Sequence, residues 1–565
     1  MKHYLNNIEV TPRNRTEIGF NASFTNLPND IGLNVDRIIL PREAKQIIDD
    51  HIALKGVFEA IPYKITLGTI SLDFMVDLLG NAVYRDFEIE VSIKRVNGIE
   101  KLIEDFRSTS FELLVKKGVS FSLIDVPYII VRDNQGELIL MMSVSLYIMT
   151  KELIQAIKDL VSTIGDFADI ISVGLVVNVG AILAAALKLI AQLAYTVAVL
   201  YAVIKLGQQL FEILFPKIRY YSACRIQELL TKSCAYFGLG FQSTLLDANQ
   251  GMTILPTPLN KGKKGIFDYL QSDLNFSYTK GYPTSNDSVR SVYDLMDAVQ
   301  VIFNAEMRVY GGKVYIEQRT YWEDLALDSV IPALNIQDKR QNEYTLNVDE
   351  VWKRYLINYQ PDYADTHTLD NWQKNSIEYS TEPIVDNDMV SIKGFNNANI
   401  PFSLGKRKEK LNFVENFAKE LFKVIDKVTG VFGGGTNLVA KIDNRIGILQ
   451  ISQQYYGQTK LLYTIANGKQ PQNYIDLIGV DRLWNDYHYI NQIQLNDYAI
   501  YEKARTMLNF EQFVQILSNN YVNLGVEKVK VLQIEWQDEK AYAYITYQKR
   551  NKYAENRVKT IRIDE

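Results

Sequence analysis

Cysteine is almost missing from this chain. Only Cys224 and Cys234 occur in 565 residues, so no disulfide framework can staple the fold. The two fall in one expected helical region, where a continuous helix would hold them about 15 Å apart, beyond disulfide reach. Histidine is scarce too, with four residues. His367 and His488 stand without a second His or Cys at the spacing that zinc requires. Charge of one sign is also lacking: 61 basic residues meet 66 acidic ones for a net charge of -5, so there is no basic domain to grip nucleic acid. The short clusters Lys261, Lys263, Lys264 and Lys406 to Lys410 read as solvated loops. The opening Met-Lys-His-Tyr-Leu-Asn-Asn has neither an apolar core nor a small-residue cleavage site, so synthesis in a cytosol is expected.

Recognisable chemistry is missing in the same way. No Gly-x-Ser-x-Gly elbow occurs, and neither cysteine sits in a nucleophile context. The loop Gly433-Gly434-Gly435-Thr436 lacks the Lys-Ser/Thr of a phosphate cradle and follows a helix instead of a strand. The acidic run Asp362, Asp365, Thr366, His367, Thr368, Asp370 offers oxygen ligands but not the order of a calcium loop, and reads as a polar turn. No carboxylate pair is singled out locally. No catalytic, cofactor-binding or metal-binding residue is therefore assigned, no cofactor is expected, and the chain reads as non-enzymatic.

What is plentiful is aromatic: 35 Tyr and 24 Phe. Such side chains favour strands and interfaces, where a Tyr buries its ring and keeps its hydroxyl wet. The other abundance is a single apolar stretch. From Ile170 to Leu187 no residue is charged, and after Lys188 the run Leu189 to Ile204 is again uncharged. As one helix, 170–204 would span roughly 53 Å and overshoot a bilayer core of roughly 30 Å, unless Gly180 marks a bend. From Leu183 apolar residues recur at steps of four and three: Leu183, Leu187, Ile190, Ala194, Val197, Tyr201 and Ile204, then Gln208, Phe211 and Phe215. This is a heptad seam. The neighbouring row Ile182, Ala186, Leu189, Leu193, Leu200, Val203, Leu210, Leu214 is apolar as well, so something must cover the helix. Burial among copies of the chain and insertion in a membrane are the two readings.

Along the chain, Phe87, Ile89, Val91 and Ile93 alternate with polar residues as a half-buried strand. Pro41 opens a helix that Gly56 stops, and 108–117 reads as a helix ended by Gly118. Val126 to Arg132 and Glu137 to Met149 flank Asp133-Asn134-Gln135-Gly136 as a predicted hairpin. Pro216 ends the apolar helix; Ile226 to Phe237 forms another, stopped by Gly238 and Gly240. Ser291 and Asp294 form a capping-box-like start to a helix bearing Val292, Leu295, Met296, Val299 and Phe303. Gly311-Gly312 joins Met307–Tyr310 to Lys313–Glu317 as a two-residue hairpin. A later amphipathic helix carries Leu411, Val414, Ala418, Leu421, Ile425 and Val428, and a hairpin of 529–536 with 541–547 closes the chain.

These elements predict an α+β, multi-domain protein with β-rich, barrel-like domains and a long apolar α-helical insertion. The expected divisions are an α+β tube-like domain (1–150), the apolar helical insertion (151–216), a helix-plus-hairpin domain (217–345), a β-rich domain containing helix 411–428 (346–470) and a C-terminal β-rich domain (471–565).

Four stretches carry a family likeness: Tyr4 to Val10 with Pro12, Gly56 to Pro62 before a strand, Ser291 to Glu317, and Leu483-Trp484-Asn485-Asp486-Tyr487-His488. In these the chain resembles the hub proteins of phage tails, particularly those of phages infecting Bacteroidetes, which are distantly similar to the trimeric baseplate hub of contractile phages. The resemblance implies a structural virion protein, made in the host cytoplasm and located in the tail. It implies a ring-forming homotrimer that joins the tail tube to spike or fibre-bearing proteins and acts in DNA ejection. The apolar insertion departs from the simple hub pattern. It would plug the tube lumen as a bundle or enter the host membrane. The alternatives are a membrane-anchored protein with soluble β-rich domains, and a tail-associated cell-wall hydrolase.

Overall fold

Alternation of apolar and polar side chains drives the two ends of the chain into one sheet. A computed structural model describes residues 1–565 except for 25–31, 173–178, 257–281, 329–343, 366–375, 383–392, 428–437, 490–497, 551–558 and shorter breaks. Strands Lys2–Leu5, Gly19–Ser23, Ile61–Leu67, Ile70–Asp77 and Glu88–Arg95 join Tyr498–Thr506, Glu527–Gln537 and Ala543–Arg550 in a 14-stranded, barrel-like sheet. The seam between the ends sets Phe20 opposite Trp536 and Ala22 opposite Ile534. Rings of Phe20, Phe510, Phe513 and Trp536 pack across it at centroid distances of 5.3 to 6.2 Å. Residues from 1–150 and 471–565, assigned to separate domains from sequence, thus share one core.

The predicted half-buried strand is Glu88–Arg95, with Ile89, Val91 and Ile93 inside and Phe87 exposed. The helix after Pro41 is Arg42–Lys55, and Gly56 stops it at φ +87°, a conformation that a Cβ disfavours. The span 108–117 instead divides between helices Gly98–Ser108 and Phe111–Lys116.

A second, seven-stranded sheet runs Ser403–Leu404, Lys460–Tyr463, Met252–Leu255, Arg219–Arg225, Leu123–Val131, Leu449–Ser452, Lys406–Arg407. Helices Ile226–Tyr236 and Val292–Phe303 contribute to the core beside it. The capping box is present: Ser291 Oγ accepts from the Asp294 amide at 3.1 Å, and the Asp294 carboxylate accepts from the Ser291 amide at 2.9 Å. So is the Gly-Gly hairpin, which pairs Tyr310 with Lys313 and holds Gly311 and Gly312 at φ +57° and +75°. A four-stranded sheet of Trp352–Tyr359, Ser376–Glu382, Lys393–Ile400 and Lys559–Ile563 completes the β structure. Trp484 stacks on Tyr379 at 4.0 Å beside it. The fold is α+β and multi-domain, as the pattern predicts.

Two further expectations are corrected. Cys224 lies in strand Arg219–Arg225 and Cys234 in the helix that follows; both are free and buried, and burial pushes each thiol up to about 12. Residues 137–149 are helical instead of forming the second strand of a hairpin. Strand Leu123–Val131 does have an antiparallel partner, but it is Arg219–Arg225, which sets Leu123 opposite Cys224 and Tyr128 opposite Arg219. Everything between them is an excursion from two neighbouring strands.

Candidate functional site: an apolar helical hairpin

That excursion is two helices, Gly136–Ser172 and Val179–Leu214, of 37 and 36 residues. Each is about 55 Å long at 1.5 Å per residue. They run antiparallel. Leu146 shares a cluster with Leu210 at one end, Thr196 Oγ1 donates to the Ala156 carbonyl (3.3 Å) midway, and Lys188 pairs with Asp166 (3.9 Å) toward the other end. The insertion therefore begins at residue 136, not 151, and two helices of similar length, Gly136–Ser172 and Val179–Leu214, take the place of the two forms expected over 170–204, one long helix or one bent at Gly180.

The facing surfaces keep heptad spacing. On the first helix Leu146, Met149, Leu153, Ala156, Leu160 and Thr163 are buried or half-buried; on the second, Leu189, Gln192, Thr196, Val199, Val203, Leu206 and Leu210 are. The seam expected from sequence is displaced from this row by two residues. At about 100° per residue, that turns it roughly 200° and sets it on the opposite side of the helix. Leu187 is 59% exposed, Ile190 62%, Val197 56% and Tyr201 66%, and Ala194 is exposed as well. Ile204 is half-buried. Leu183 belongs to the same helix, and Phe215 lies outside the described residues.

Among the described residues of the expected seam Phe211 alone is buried, because the hairpin's base is clasped. Its ring meets Phe422 edge-on at 5.7 Å. Phe422, Ile425, Leu438 and Ile442 close around Leu146, Val203 and Leu210. The described residues between 415 and 427 are helical, and Leu411 and Ile425 are buried as the amphipathic pattern predicts; Val414, Ala418, Leu421 and Val428 lie outside the described residues. Asp426 accepts from the amides of Leu438 and Val439 at 3.1 and 3.0 Å, which caps helix Leu438–Asp443. Gly207 faces this clasp: a Cβ there would stand 3.0 Å from Ile425 Cδ1.

Polarity is divided between the two helices. The first carries Lys151, Glu152, Lys158 and Asp159, all exposed. By the pairing of Ala156 with Thr196, these lie level with residues 193–201 of the second helix, which is uncharged from Leu189 to Ile204. Ala184–Glu212, 29 residues, is long and apolar enough to cross a bilayer. A transbilayer placement of the hairpin would take those four charges into the hydrocarbon, at about 3 kcal/mol each.

Two carboxylates of the acidic run are engaged by a lysine. Asp362 and Asp365 are buried against Lys460, whose Nζ stands 3.2 and 2.8 Å from their carboxylates and donates to Ser403 Oγ at 3.1 Å. Asp287, also buried, accepts from Thr459 Oγ1 at 2.9 Å. Thr366, His367, Thr368 and Asp370 lie outside the described residues. His488 is buried, and its Nε2 is 3.0 Å from the Ile302 carbonyl; burial holds its ring at about 4 despite that bond. Among the described residues no three His, Cys, Asp or Glu gather as a metal site.

One cavity, of about 620 Å³, opens at the sheet edge between Lys2, His3, Glu9, Arg15 and Thr66. His3 Nδ1 is bonded to Tyr63 Oη at 3.0 Å, and Lys2 lies 3.5 Å from Glu9. No family model, curated protein or solved structure matches the chain.

Proposed function

We propose that this chain is a structural hub or baseplate subunit of a phage tail or phage-derived particle, which joins the tail tube to the tip or spike, with the hairpin engaged during DNA ejection. The observation that carries the reading is a surface that a single copy leaves uncovered: a helical hairpin about 55 Å long, clasped at its base, whose second helix is bare and apolar along one side for about 30 Å. A protein that works alone in water has no use for such a face, whereas an assembly subunit does. The aromatic-rich strands and the likeness to tail hubs point the same way. Imaging purified particles that carry an epitope-tagged copy is the test. Label at the tail tip is the expected result, and label on the capsid or absent from particles refutes the reading.

A second reading is a membrane-anchored protein with β-rich domains outside the bilayer, favoured by the length and apolarity of Ala184–Glu212. It predicts that the protein fractionates with membranes and that Leu193→Arg releases it.

A further inference from the structure

We infer that the bare side of the second hairpin helix is the contact between copies of this chain: at least three second helices meet around a common axis, and the first helices stand outside them facing water. This rests on the reading of the chain as an assembly subunit, and it names what covers the apolar face.

That face is wide. Leu193 and Tyr195 are both half exposed, at 50% and 52%, and they bound an open arc of about 200° on the helix at 100° per residue. Ile190, Ala194, Val197 and Tyr201 lie between them. A two-helix contact needs only a narrow stripe, and a second copy alone would leave both flanks wet. Three or more copies give each second helix a neighbour on either side, so the whole arc is covered.

The distribution of charge then chooses copies over lipid. Lys151, Glu152, Lys158 and Asp159 stand exposed on the first helix, level with the middle of the bare arc. Among copies they remain in water on the outside of the bundle. Across a bilayer they would sit in hydrocarbon. Below Ile204 the open face turns polar at Lys205, Gln208, Gln209 and Glu212, so the bare arc ends where the clasped base begins. From Ala184 to Ile204 it runs about 30 Å. Rotation about an axis parallel to the helices brings the same residue of each copy together, so Ala194 meets Ala194.

Oxidative crosslinking of the full chain without detergent tests this, with Cys224 and Cys234 buried and unpaired as background. Ala194→Cys is expected to give covalent pairs in more than half the chains, while Lys158→Cys stays at the wild-type level. Ile190→Glu combined with Val197→Glu is expected to reduce the native mass to one chain with helix content unchanged by circular dichroism. Three results overturn the inference: no pairing at residue 194, equal pairing at 158 and 194, or a fluorophore at 194 that is shielded only when phosphatidylcholine vesicles are added. Crosslinking at 194 in a protein absent from tails defeats the tail reading alone; tail label without crosslinking defeats the bundle alone.

Discussion

Replacing Lys460 by Met removes the cation from a site where two carboxylates remain. The side chains of Lys460, Asp362 and Asp365 are at most 1% exposed, so water cannot take over the solvation that the ammonium supplies. Breaking a buried pair by deleting one partner costs roughly 3–5 kcal/mol, because the charge left behind is uncompensated. At 1.4 kcal/mol per factor of ten, the unfolded population of that unit rises about 100-fold or more. Hydrogen exchange at the amides of strands Lys460–Tyr463 and Ser403–Leu404 measures this locally, without requiring the whole chain to unfold in one step. Adding Asp362→Asn and Asp365→Asn to Lys460→Met should recover more than half of the loss, because uncharged amides leave no ion stranded. Added calcium should leave wild-type exchange unchanged. A loss below about 1 kcal/mol, or protection of the wild type by calcium, would refute the ion-pair account of this acidic run.

Stability should depend on pH through the buried histidines. Burial lowers His488 and His3 from 6.5 to about 4, so the unfolded chain binds more protons between those values. Their contribution is complete above pH 6.5 and is lost as pH falls towards 4, roughly 3 kcal/mol for a group so shifted. His488→Gln should flatten that slope in urea titrations, and an unchanged slope would contradict it. Burial raises Glu306, but Lys530 and Arg308 overcome this and hold it at about 2; its contribution is present above pH 4.5 and falls away towards 2, which the acid limb of the same titration reads, Glu306→Gln removing it. At the hairpin base, Phe422→Ala should cost about 3–5 kcal/mol of local stability, read as faster exchange in residues 203–211 while the barrel-like sheet keeps its protection. Gly207→Leu, which drives a side chain into Ile425 and Phe422, should loosen the same contact, and normal protection in either variant would show the clasp to be unimportant.

Elements whose signals are local were legible in the sequence. The Ser291–Asp294 cap, the Gly311-Gly312 turn and the helix between Pro41 and Gly56 each depend on residues within a few positions of one another. The apolar insertion was legible too, but its partner was not. Residues 137–149 read as a strand because Asp133-Asn134-Gln135-Gly136 ahead of them carries a turn signal, and their inward positions are mixed, with Ser143 beside Leu146, so apolar content marked no single helical face. The row turned to the first helix was not legible for the opposite reason: from Leu189 to Ile204 the second helix is uncharged on every side, and several registers satisfy the spacing equally well. Gln192 and Thr196, the two polar residues of the inner row, mark the face turned to the first helix through the Ala156 carbonyl. The union of the two chain ends left no local trace, since Gln533 pairs with Ser23 across nearly the whole sequence. Nor did the partnership of Lys460 with Asp362, 98 residues away.

In the proposed arrangement, other copies of the same helix cover the bare side of Val179–Leu214. Electron cryomicroscopy of the full-length protein, purified without detergent, tests it most directly. A closed ring of at least three copies is expected, with second helices packed around the axis at Ala194 and first helices outside. Hairpins that stand singly in solvent, or a ring whose axis is lined by the charged face of Gly136–Ser172, would contradict it.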